Sequence, residues 1–252
     1  MNDLPTSPRI ALIACRVLDA EIAALTSPTT RIVRRTTFDI GLHDQPAVLH
    51  ARLAAEIETA EAQPDVEVVV LVYGLCGMAI VGLAPRRCRL VMPRAHDCIT
   101  LFLGSKERYA ARIENDPGLY WYSPGWNRNK RVPGPDREAD LRVAYTAKFG
   151  AEDAEALIEI EREAFAKHSC AAYTDHGLPG DQVHRCYAQD CSRSLGWRFA
   201  HHPGDPTLLR QLLHGPWPGE SFLVVNPGEQ VAFAPDATVI KAVPTVVGTN
   251  ST

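Results

Sequence analysis

No GxGxxG and no GxxxxGK run occurs in the chain, which excludes the usual glycine-rich phosphate cradles of nucleotide-binding proteins. CxxC and HxxxH pairs are also missing, so the commonest structural zinc spacings are not available. No stretch reaches the roughly 20 apolar residues that a membrane helix needs. The start, MNDLPTSPR, has neither the basic segment nor the apolar run of a signal peptide. An excess of positive charge is lacking too: the formal net charge is -4, which argues against nucleic acid or an anionic membrane as the main partner. These absences together describe a cytoplasmic protein whose ligands are small molecules.

What the sequence does contain is an alternation of short apolar runs and helical segments. Its 252 residues, 46% of them hydrophobic, are enough for a dry core. Residues 9–14, 31–38, 66–73 and 89–92 read as strands, the third being continuously apolar as a central parallel strand is. Helices are expected from about Leu18 to Leu25, from a start capped by Asp44 with Pro46 in its first turn, and from about Cys98 to Glu114. The segment GLYWYSPGW reads as an aromatic loop, and residues 141–169 as two helices broken at Phe149-Gly150. Strand and helix then alternate again through CAAYTDHG, GWRFAHH and SFLVVNPG. The expected fold is therefore α/β, a Rossmann-like doubly wound, mainly parallel sheet in a single domain, with residues 118–169 as a helical insertion or lid over its carboxyl edge.

Three cysteines fall where strands end: Cys15 after RIALIA, Cys76 in VVVLVYGLCG and Cys98 in RLVMPRAHDC. The carboxyl ends of parallel strands form the ligand crevice of open α/β sheets, so these distant residues are expected to converge. Thiolates and imidazole suit zinc, with an iron–sulfur cluster as the alternative. Cys15, Cys76, Cys98 and His96 are the candidate ligands, and Gly74 and Gly77 would let a backbone approach a cofactor closely. A metal-free alternative makes Cys98 a nucleophile at a helix start, with His96 as base and Arg94 and Asp97 beside it. Asp175, after the strand AAYTD, is a candidate catalytic or ligand-orienting carboxylate. Tyr120, Trp121, Tyr122 and Trp126 are candidates to wall a small-molecule pocket, or to hold a methylated ammonium group by cation–π attraction. Cys186 and Cys191, five apart, do not share a helix face well, which disfavours a second metal site there. Cys88 and Cys170 precede strands and read as structural.

The motifs YGLCG, PRAHDCITLFLGS, GLYWYSPGW and FLVVNPGE together resemble a bacterial and archaeal family described only as a domain of unknown function, over about residues 8–240. Members of that family are often encoded near corrinoid-dependent methyltransferases for methylamines. The resemblance implies one-carbon metabolism, with a corrinoid protein or methyltransferase as partner and corrinoid as an alternative cofactor. His96-x-Cys98 with Cys76 is similar in ligand type to the His-x-Cys and distant Cys of zinc enzymes that move methyl groups from corrinoid to thiol, although here the lone cysteine precedes the pair. Two functions are thus expected to compete: a metal-thiolate transferase, and a non-catalytic accessory protein that handles metal or corrinoid for a methyltransferase.

Overall fold

A computed structural model of the protein describes residues 8–128 and 132–245. The start MNDLPTS and the tripeptide inside RNKRVPG fall outside the described residues, as do residues 246–252. The chain separates into two compact units. Residues up to 106 and from 205 onward form one, and residues 107–204 form the other.

The first unit is built on a sheet of β1 (Ile10–Cys15), β2 (Ile32–Phe38), β3 (Val68–Val72), β4 (Arg89–Pro93) and β8 (Phe222–Val225), in the order β2-β1-β3-β4-β8. All pairings are parallel except that of β8 with β4, so the expected α/β class with a mainly parallel sheet is the observed one. β1 and β3 are buried along both faces, as their unbroken apolar runs require. One face carries Ala11, Ile13, Val69 and Leu71 against Leu49, Leu53 and Ile57 of α2 (Pro46–Glu61). On the other, α9 (Thr207–His214) packs against β3, β4 and α1 (Asp19–Leu25).

Two helix boundaries differ from the sequence reading. Pro46 opens α2 with Gln45 in the capping position and no side-chain cap, while Asp44 belongs to a short 3₁₀ turn over Ile40–Asp44. The single helix expected over 98–114 is two, α3 (Cys98–Leu103) and α4 (Lys106–Asn115). Gly104 breaks it at φ +82°, where a Cβ would lie 2.7 Å from Asp205 Cβ.

The second unit has its own parallel sheet, β5-β6-β7, of β5 (Leu119–Tyr122), β6 (Cys170–Tyr173) and β7 (Arg198–His201). Around it lie α5 (Pro124–Arg128), the hairpin of α6 (Pro135–Phe149) and α7 (Ala151–Ala164), and α8 (Asp181–Leu195). The segment 118–169 is thus not an interruption of one sheet. It belongs to a separate unit that also claims CAAYTD and WRFAHH, because alternation along a sequence does not specify which sheet a strand joins. A β9 (Glu229–Phe233) and β10 (Ile240–Pro244) ribbon completes the first unit. Among the described residues no helix is long and apolar enough to cross a membrane.

Candidate functional site

The order β2-β1-β3-β4 reverses direction between β1 and β3, and such a switch point is where ligands sit in doubly wound folds. Cys15 is the last residue of β1. Ala14 pairs with Val72, so Cys15, which ends β1, and Tyr73, which directly follows β3, come side by side against the same core. Cys76 follows in the turn after β3. Both cysteines pack against the core that α2 covers.

Gly74 explains why this turn lies where it does. A Cβ there would be 2.7 Å from both Cα and N of Asp97, so only glycine lets the two turns touch. Leu75 N–H then donates to Ala95 O at 2.9 Å and Cys76 N–H to His96 O at 3.2 Å. The space expected to admit a cofactor is therefore filled by the chain itself. At Gly77 a Cβ would lie 3.1 Å from Pro46 Cγ. Cys76 and Met78 hold φ of +45° and +75°, costly for side-chain-bearing residues and most often tolerated at functional sites.

Burial dominates the electrostatics of the thiols. It pushes Cys15 up to about 11, helped by the charge of Asp19 and opposed by the Val17 N–H and the Tyr73 hydroxyl. Cys76 is pushed up to about 12, first by burial, then by Cys15 and Asp97. Tyr73, whose hydroxyl donates to Ala14 O at 3.3 Å, is raised by burial and then by both thiols. Two partly buried thiols and a buried phenol therefore form one interacting group whose members are all protonated at neutral pH.

The other two candidate ligands lie on the adjoining turn. His96 is exposed, and Cys98 is partly buried at the start of α3. Among the described residues no three His, Cys, Asp or Glu side chains are gathered as a set that could hold a metal ion. The amino end of α3 is capped by Asp97, which accepts Ile99 N–H at 2.9 Å. Arg94 directs its guanidinium to the carbonyls of Gly219, Thr238 and Ile240. None of the seven cysteines is in a disulfide. Cys88 is buried with its thiol donating to Val66 O at 3.3 Å, Cys170 and Cys191 are buried, and Cys186 is exposed.

In the second unit the first part of the aromatic segment is β5, whose period of two divides it, and Trp126 lies on α5. Tyr120, Tyr122 and Trp126 pack on one face and Trp121 on the other. Tyr122 is fully buried and donates to Pro133 O at 2.7 Å. Trp121 meets His202 and Tyr109. These four residues do not wall a common pocket. Tyr120 instead joins Phe165, His168 and Trp197, and the last three line a cavity of about 690 Å³.

Asp175 follows β6 and is 4% exposed. Its Oδ2 receives Arg185 Nη2 at 3.2 Å and lies 3.4 Å from His201 Nε2. Burial lowers the His201 pKa from its ordinary value, against the raising effect of Asp175. Sequence reasoning did not single out Tyr73, Arg185 or His201. The position of His201 at the end of WRFAHH was a usable signal, whereas the pairing that sets Tyr73 beside Cys15 leaves no mark in the sequence.

A family model described as "Protein of unknown function (DUF1638)" matches residues 37–213. The match takes in Cys76, His96, Cys98, Asp175, Arg185 and His201 and begins after Cys15. No curated protein and no solved structure matches the chain.

Proposed function

We propose that the chain, which belongs to the DUF1638 family, binds a soft divalent metal, zinc, through the thiolates of Cys15 and Cys76. The observation that carries this reading is the convergence of the two thiols at the switch point of the sheet. Partly buried thiols whose pKa values are pushed up to about 11 and 12 are poor nucleophiles at neutral pH. A cation that replaces their protons removes the cost of charging them there. Two sulfurs leave a zinc site incomplete. Cys98 and His96, on the turn bonded to Cys76 through its backbone, are the donors that would complete it by reorienting. Tyr73, already beside Cys15, would turn its single hydroxyl hydrogen from Ala14 O to the coordinated sulfur and limit its basicity.

The metal would supply Lewis acidity to a small substrate or an acceptor thiol. The family resemblance supports methyl-group or methylated-amine chemistry, linked to a corrinoid protein, as its setting. An accessory role in metal hand-over is the second reading. It is favoured by the same incompleteness, because a site with two fixed donors releases its ion more readily than a closed one.

Elemental analysis of anaerobically purified protein tests the metal. Stoichiometric zinc is expected in the wild type and in Cys88→Ser, with loss in Cys15→Ser and Cys76→Ser. Uptake should release at least two protons per zinc at pH 8, from two thiols that are still protonated there, and more where Cys98 joins as a third thiolate. A wild type that neither retains nor takes up metal overturns the proposal. Iron with visible absorbance would replace zinc by a cluster. Competition with a chromophoric chelator separates the two roles, since a hand-over protein surrenders zinc within the mixing time and a catalytic site does not.

A further inference from the structure

The carboxyl edge of the second sheet gathers polar side chains that the thiol site does not use. Asp175 is held on several sides: Gly177 N–H donates to its Oδ1 at 3.1 Å, Arg185 reaches its Oδ2, and its carbonyl takes Gly204 N–H at 2.8 Å. Arg185 comes from the early turns of α8, a helix of 15 residues that packs on β6 and β7. Asn127 of α5 is 5% exposed and donates its amide to His184 O at 2.8 Å. Three buried atoms here have no hydrogen-bond partner: Arg185 Nε, Asn127 Oδ1 and His201 Nε2, the last lying 3.4 Å from Asp175 Oδ2. An arginine Nε–H is satisfied only by an acceptor, and an amide oxygen only by a donor. Native proteins leave few such atoms unpaired, and those they do leave point to a missing ion, water or ligand.

We propose that this edge is a second site, for a small carboxylate that also carries an O–H or N–H group, with Arg185 taking the carboxylate and His201 the proton-bearing group. Asp175 Oδ2, 3.4 Å from His201 Nε2, can only accept, so its charge favours the tautomer with hydrogen on Nε2 and leaves the lone pair on Nδ1. That lone pair makes His201 a general base. When the ligand O–H or N–H bond breaks, its electrons stay on the oxygen or nitrogen. The proton moves to Nδ1, and the imidazolium is paired by Asp175. Asn127 Oδ1 is the acceptor for a second ligand hydrogen. This site stands apart from the thiol reading and does not depend on a metal.

The test is an NMR titration of the full-length protein with its histidine rings labelled with ¹⁵N. Glycolate carries both groups, acetate only the carboxylate and ethylene glycol only hydroxyls. Glycolate is expected to shift the His201 ring resonances saturably, acetate to bind more weakly, and ethylene glycol not to bind. Arg185→Gln should weaken glycolate about tenfold or more. His201→Gln should bring glycolate down to the affinity of acetate. The absence of a saturable His201 shift with glycolate overturns the proposal, and so does unchanged glycolate affinity in a folded Arg185→Gln. Should either variant fail to fold, the ranking of the three ligands on the wild type decides alone.

Discussion

Thiols that stay protonated well above their ordinary value of 9.0 tie stability to pH in one direction. Above pH 9 the unfolded chain loses these protons while the folded chain keeps them, so the folded state binds more protons and stability falls as pH rises. The loss should begin near pH 9 and continue to about 12, where Cys76 ionises in the fold. Urea midpoints measured across this range should fall in the metal-free wild type and fall less in a Cys15→Ala/Cys76→Ala variant. Alkylation tells the same story kinetically. At pH 8 iodoacetamide should modify exposed Cys186 first, partly buried Cys15 and Cys76 much later because they stay protonated, and buried Cys88, Cys170 and Cys191 last, which peptide mapping of a time course reads directly. At this scale the sequence was legible for Cys15 and Cys76, since each closes an apolar run. It was not legible for the meeting of Asp175, Arg185 and His201, which come from three different elements.

Elements are held by a few polar fixings as much as by their apolar faces. The carboxylate of Glu61, at the last position of α2, accepts N–H groups of Arg86, Arg87 and Cys88 at 2.7–3.0 Å. It thereby anchors the start of β4. Glu61→Ala leaves these donors without an acceptor and should cost about 3 kcal/mol in urea denaturation, with Glu61→Gln costing less. Gly74→Ala inserts a Cβ into the Asp97 backbone and should cost about 1–3 kcal/mol. It should also weaken zinc uptake, because the turn bearing Cys76 and the turn bearing Cys98 are pushed apart; unchanged zinc affinity would mean that the contact is only structural. Apolar runs and β-branched residues made the strands of the first sheet readable, and glycine made the boundary at Gly104 explicable afterwards. The aromatic strand β5 misled, because Pro124 and Gly125 beside it read as loop punctuation.

For the molecule as a whole, two cores imply two folding units. Residues 107–204 are continuous in sequence and carry a complete parallel sheet with covering helices, so this segment expressed alone should give a cooperative thermal transition and an α/β circular dichroism spectrum. A non-cooperative profile would show that its sheet needs the rest of the chain. Composition and length were compatible with one domain or two. What separated them was strand partnership, a long-range property that pattern and propensity do not encode.

Where the chain leaves the first unit and where it returns are neighbours. Asp205 N–H donates to Phe102 O at 2.9 Å, and Gly104 has no side chain because Asp205 lies against it. The first unit thus treats everything between as a single surface loop, closed at its base. Closure cost grows only with the logarithm of loop length, so a short glycine-rich bridge from Lys106 to Asp205 would leave the first sheet and its thiols in place. The second unit is in this sense a cassette, and each of the two proposed chemistries can be studied with the other cut away.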